Sequence, residues 1–247
     1  MSRGYDIPVL ADYNLGGMLE FFKGCKDANK TGLISLATRL SLEKNSLNIL
    51  IFPRNLTAFR VLLRNYKIID ANQCINFDFC FEHKDDFLFV ISEQNTEILK
   101  TENVQIVFEK LSAFNIYFLL DFAYSNEHIK EVENIVRKYN IALLPGLSAE
   151  YSEVEHIKVH EYLRKINGSV DKEIGNHYLQ TAEELKELVH KYNPVLLDNL
   201  DDFLTQIQLF EYKLPKFEIP QIYPNPKTVW HKVGFHDNEQ TSYLTEL

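Results

Sequence analysis

Seven short apolar runs, separated by segments of helical periodicity, constrain this chain more than anything else in its sequence. They fall at residues 7–10, 33–36, 47–52, 87–91, 104–108, 116–120 and 141–144. Near-continuous apolar runs of this length mark strands buried on both faces, as in a parallel sheet covered by its crossover helices. Amphipathic periodicity runs through 15–28, 56–66, 127–139, 153–166, 182–191 and 195–209. Thr181, followed by Glu183 and Glu184, supplies an N-cap and an acidic first turn for the helix beginning at Ala182. Strand-helix-strand units of this spacing join by right-handed crossovers. The expected fold class is α/β: a TIM-like barrel of about seven mainly parallel strands with outer helices. A doubly wound open sheet is the alternative.

A chain of 247 residues, 45% hydrophobic and 25% charged, can bury a sizeable core. Its 26 Lys+Arg against 35 Asp+Glu give a formal charge of −9. Overall repulsion from phosphate argues against nucleic-acid binding through a broad basic surface, and no basic run offsets it. Cys25, Cys74 and Cys80 contain no Cys-x-x-Cys pair and are odd in number, so buried, reduced thiols are expected. No apolar run approaches the roughly 18 residues of a membrane span. The N-terminus has no signal-peptide core, so the expectation is a cytoplasmic protein with no membrane partner. After Leu209 the character changes: Pro215, Pro220, Pro224 and Pro226 hold four of the eight prolines in a short span. Each restricts the residue before it to extended geometry, which divides the chain into a domain at 1–209 and a connector at 210–247.

The order of elements from 138 to 199 is more specific. An apolar strand is followed by Pro145-Gly146-Leu147-Ser148-Ala149-Glu150-Tyr151, then a helix carrying His160, then Tyr178-Leu179-Gln180-Thr181-Ala182-Glu183-Glu184-Leu185. Upstream stand Val9-Leu10-Ala11-Asp12-Tyr13-Asn14-Leu15, Glu20-Phe21-Phe22-Lys23 and the stretch 47–60; downstream stand Leu214-Pro215-Lys216-Phe217 and Tyr243-Leu244-Thr245-Glu246-Leu247. In collinear order these resemble the PHP (polymerase and histidinol phosphatase) domain of the bacterial DNA polymerase III alpha family, with the connector that enters the polymerase palm. The resemblance implies a PHP barrel incomplete at its N-terminal strand, because the family's first strand should precede Arg3. It also implies that the palm's catalytic carboxylates lie beyond Leu247.

A PHP site gathers His, Asp, Glu and Cys at strand C-termini, where metals generate hydroxide and clamp a phosphate. Matched by motif, Asp12 is the single retained ligand-type residue at its expected place. Tyr13 stands where the family has His, Ala37 at a Glu, Asn48 at a His and Gln94 at a Cys. Phe122 follows Asp121 where the family shows Asp-His, and Ser148 and Glu150 replace the last Asp and His. Such a set lacks the first shell that a multi-ligand site needs. No catalytic, cofactor-binding or metal-ligating residues are expected, and no cofactor. Phe122 and Tyr13 are expected to fill the space that metals occupy in active relatives.

Other features carry less. His156 and His160 have the spacing of a two-His zinc pair but lack the Glu of His-Glu-x-x-His. His83, His128, His177 and His190 are isolated and fit solvated roles, and Asp201-Asp202 point about 100° apart on a helix. The resemblance implies a catalytically degenerate domain with a structural, docking role in a DNA replication protein. Its implied partners are the rest of the polymerase, a proofreading exonuclease subunit, and DNA only through the parent polymerase. An active metal-dependent PHP phosphoesterase or 3'-5' exonuclease is the alternative. A missing first strand leaves unpaired backbone beside residues 7–10, so self-association through an open sheet edge is also expected.

Overall fold

Phe87-Leu88-Phe89-Val90-Ile91 is buried at every position, which only a central strand covered on both faces permits. The computed structural model describes residues 3–13, 15–42, 45–65, 74–91, 104–149, 151–166 and 177–210. These belong to one unit, Met1–Glu211; the connector expected at 210–247 lies, from Glu211 on, outside the described residues. The strands are β1 (Val9–Asp12), β2 (Leu33–Leu42), β3 (Asn45–Pro53), β4 (Cys74–Ile75), β5 (Phe87–Ile91), β6 (Ile116–Asp121) and β7 (Ala142–Gly146). The helices are α1 (Met18–Asp27), α2 (Leu56–Arg64), α3 (Phe77–Glu82), α4 (Val104–Leu111), α5 (Asn126–Arg137), α6 (Ile157–Ile166), α7 (Ala182–Tyr192) and α8 (Val195–Thr205).

The strands form one mixed sheet in the order β1-β2-β3-β5-β6-β7, with β4 following β1 along the same side of β2. The order rises steadily with sequence and never reverses, so the sheet is singly wound and compatible with part of a TIM-like barrel. Six strands share one direction, while β3 runs against both neighbours. The reason is local. Leu42 of β2 and Asn45 of β3 pair across a two-residue connection, too short for a crossover to a parallel strand.

The run at 104–108, expected as a strand, is the start of α4. Val107, Phe108 and Leu111 are buried while Gln105 Nε2 donates to Glu109 Oε1 at 2.8 Å on the outside. That is helical spacing, and it overrides the apolar density of the run. The seventh strand is instead the short β4.

The sheet is covered on both faces. Phe79 of α3 and Phe114, just after α4, meet Phe87 and Phe89 on one face, with ring centroids 6.2 Å and 5.0 Å apart. The other face gathers Leu33, Phe52, Leu88, Val90 and Leu144 around Phe203 and Ile207 at the C-terminal end of α8. Phe203 sets its ring edge-on to Phe52 and Tyr117, at 5.2 Å and 5.1 Å. A closed barrel turns one face to its lumen and fills it with strand side chains. Here one face is packed by α8, and among the described residues the sheet does not close, in keeping with the expected incomplete barrel.

Among the described residues β1 and β7 end the sheet and do not pair with each other. Asn199 Nδ2 of α8 donates to the Leu143 carbonyl of β7 at 2.9 Å, one way of satisfying an edge-strand acceptor. The outer side of β1 has no strand partner among the described residues, with Val9 and Ala11 exposed.

Helix starts follow their caps. Asn55, Ser125 and Thr181 each accept from a backbone N–H in the first turn of α2, α5 and α7. At α7 the cap is reciprocal: Thr181 Oγ1 accepts from Glu184 N at 3.2 Å, and Glu184 Oε2 accepts from Thr181 N at 2.7 Å. The bonds that Thr181 N and Thr181 Oγ1 donate to it hold the Glu184 carboxyl below its ordinary value. The Thr181 hydroxyl serves one otherwise orphaned donor, the Glu184 amide. Thr181→Ala is therefore expected to cost about 1 kcal/mol in chemical denaturation, with Thr181→Ser restoring most of it.

Candidate functional site

The C-terminal ends of β1, β6 and β7 and the N-terminal end of the reversed β3 lie at one end of the sheet. Asp12 is the last residue of β1 and accepts from Gly17 N through Oδ2 at 3.5 Å. Ala37 is buried in β2, paired with Leu50. Asn48 lies opposite Arg39 near the start of β3. Gln94 and Glu150 lie outside the described residues.

Tyr13 is 48% exposed, which overturns its expected place inside the site. Leaving β1, the chain passes a left-handed Leu15 (φ 54°) whose side chain is buried. Leu15, and not Tyr13, takes the interior position there. Phe122 is buried, with its ring edge-on to Tyr192 of α7 at 5.5 Å. Tyr192 in turn donates its hydroxyl to Glu133 Oε2 of α5 at 2.5 Å. Burial and that carboxylate push its phenol above the normal tyrosine range.

Asp121 ends β6 and is 3% exposed. Its Oδ1 accepts from Ala123 N at 3.0 Å, closing a turn on its own chain, and from Ser148 N at 3.0 Å, beyond the end of β7. Phe122 N donates to the Gly146 carbonyl at 2.9 Å beside it. One carboxylate oxygen thus ties the turn after β6 to the turn after β7. Buried carboxylates persist where such bonds compensate their lost hydration.

His177 extends the tie. Expected as solvated, it is buried, its Nδ1 is 3.0 Å from the Ser148 carbonyl, and its ring meets Tyr124 edge-on at 5.6 Å. An Nδ1–H donor satisfies that carbonyl. Next to it Tyr151 and Tyr178 form a parallel bridge, with Leu179 N donating to Tyr151 O at 2.8 Å. Burial and the nearby Glu184 carboxylate raise the Tyr178 phenol above its ordinary value. Tyr5 donates its hydroxyl to Gln180 O at 3.1 Å, and Arg3 Nη2 reaches Ser152 O and Glu153 Oε1, each at 2.6 Å. Many residues singled out by sequence as a frame therefore join the segments 3–5, 148–153 and 177–184.

His156 and His160 do not converge. His156 Nδ1 is 3.3 Å from Ser152 Oγ, whereas the His160 ring lies against Tyr151 at 5.3 Å. Asp201 and Asp202 are both exposed. Cys25 and Cys80 are buried and Cys74 is partly so. Burial pushes the Cys80 thiol up to about 12, away from the thiolate a nucleophile or metal ligand needs. A cleft of about 410 Å³ opens between α5 and α7, but Glu133 on its wall is held by Tyr192 and by Arg137 at 2.6 Å.

Among the described residues no three His, Cys, Asp or Glu side chains are placed to hold a metal ion. At the matched positions Ala37 offers no donor atom, and Oδ1 of Asp121 accepts two backbone N–H groups. Among the described residues, Ala37 and Phe122 thus stand at matched positions without the N, O or S side-chain atom that a PHP metal cluster needs.

No family model matches this chain, and no curated protein matches it. Among solved structures, a protein of Bifidobacterium adolescentis described as a metal-dependent phosphoesterase aligns over 76% of this chain and 86% of its own, at 9% identity and a TM-score of 0.37. A likeness at that level does not bear on what this chain binds or catalyses. No helix among the described residues is long and apolar enough to cross a membrane.

Proposed function

We propose that this chain is a PHP-like domain in which a hydrogen-bonded scaffold stands where relatives hold metals. In this reading it is a structural and docking piece of a DNA polymerase III alpha-like replication protein. The observation that carries the loss of chemistry is the pair of hydrogen bonds that Ala123 N and Ser148 N donate to Asp121 Oδ1. The polymerase assignment is supported by the collinear motifs from Asp12 to Leu247. Replicative partners, a polymerase body and a proofreading exonuclease, belong to the same proposal.

An active phosphoesterase or 3'-5' exonuclease is the rival. It is favoured by one observation, that Asp12 and Asp121 both sit at strand ends on the same end of the sheet. Elemental analysis after dialysis against Zn, Mn and Mg, with phosphoester and single-stranded DNA hydrolysis assayed in parallel, separates the two. The expected outcome is no stoichiometric metal and no hydrolysis. Two or more retained metals, or hydrolysis abolished by Asp12→Ala, establishes the rival. The polymerase assignment is read separately, from the flanking coding DNA. A frame continuing past Leu247 into paired nucleotidyl-transfer carboxylates supports it, and an immediate stop codon refutes it.

A further inference from the structure

Helix α6 is amphipathic with its apolar side outward. Val159, Tyr162, Leu163 and Ile166 recur at i, i+3, i+4 and i+7 and each is more than half exposed, Tyr162 at 72% and Ile166 at 71%. Val154, in the 3-10 turn Val154–His156 just before the helix, is also more than half exposed. The inward side is carried by Ile157, His160 and Glu161, all half-buried. A helix of 10 residues is marginal alone in water and is normally held by burying its apolar face. Here that stripe is in solvent.

We propose that this face is where a second copy of the chain docks, helix against helix about a two-fold axis. Five such side chains leave on the order of 500 Å² of apolar surface, toward the top of what a monomer's largest patch shows. Face to face, two copies bury roughly 1,000 Å², about the minimum for a biological interface and the size of a weak, reversible one. The stripe is self-complementary. Its spacing reads the same in both directions, so an antiparallel pairing sets Val159 opposite Ile166 and Tyr162 opposite Leu163 in both halves at once.

The open side of β1 is the competing surface, and it is the poorer one. It offers four residues, and short edge strands are a device by which sheets avoid pairing with other chains. Each copy also carries a formal charge of −9, so long-range repulsion opposes association and salt relieves it. A dimer held by α6 therefore tightens as ionic strength rises.

Sedimentation of the full 247-residue chain, from micromolar to hundreds of micromolar, tests the proposal. The wild type is expected to dimerise in that range, more tightly in high salt. Leu163→Glu is expected to raise the dimer dissociation constant roughly 100-fold or more, because the new carboxylate is buried twice per dimer. Leu163 is exposed in the single chain, so its thermal melt in dilute solution should match the wild type, which separates lost docking from misfolding. Ala11→Pro on β1 should leave the dimer intact. A chain that stays monomeric throughout overturns the proposal. So does a dimer that survives Leu163→Glu, or one lost on Ala11→Pro alone.

Discussion

Phe122→Ala is expected to destabilise the protein by about 3–5 kcal/mol, the range for removing a buried aromatic ring from a packed core. Phe122 is 3% exposed and sits between the end of β6 and Tyr192 of α7. Tyr192 is tied to Glu133 of α5, so the ring packs where β6, α5 and α7 come together. Its loss leaves a gap that two anchored helices cannot readily close, and the retained cavity adds to the lost transfer energy. Urea titration followed by far-UV circular dichroism measures the change directly. A variant as stable as the parent would remove Phe122 from the core. Phe122→His should lose stability and gain no metal, since the neighbouring groups that would complete a ligand set are a phenol and a committed carboxylate.

Asp121→Ala is expected to cost about 2–3 kcal/mol, although it deletes a charge from the interior. Deleting a charge-assisted acceptor leaves its donors unmatched, and a buried unmatched donor costs more than a typical bond contributes. Ala123 N is buried and Ser148 N lies nearer solvent, so the first carries most of the penalty. Asp121→Asn keeps an acceptor oxygen in place and should lose about 1 kcal/mol or less. That ordering, Ala worse than Asn and both destabilising, identifies a structural tie. A metal ligand behaves differently: relieving a cluster of like charges raises the stability of the metal-free protein. A more stable Asp121→Ala variant would sink the scaffold reading.

Local chemistry determined much of this protein from sequence. Sites β2, β3, β5, β6 and β7 fall on the apolar runs at 33–36, 47–52, 87–91, 116–120 and 141–144, because covering a strand on both faces demands continuous hydrophobicity. Thr181 caps α7 as expected, since a cap and the donors it serves lie within one turn. The run at 104–108 was misleading because a short apolar stretch fits a buried strand and a buried helix face equally well. The reversal of β3 was legible in principle: the period-two alternation of Leu36, Thr38 and Leu40 with Ala37, Arg39 and Ser41 extends β2 to the brink of β3, leaving room only for a hairpin.

The rest was decided by residues far apart in the chain. Asp121 reads from sequence as a ligand-type residue beside a lost partner, and only its approach to Ser148, 27 residues away, makes it a tie. His177 reads as solvated until the turn after β7 closes over it and supplies the Ser148 carbonyl. Seven apolar runs suggest an incomplete barrel with outer helices, and only the tertiary structure lays Phe203 of α8 across the face carrying Leu33, Leu88 and Val90. Periodicity and capping are properties of a few neighbouring residues, so sequence alone sets them. Which carboxylate meets which amide, and which helix fills which face, depends on contacts that exist only once distant segments have folded together.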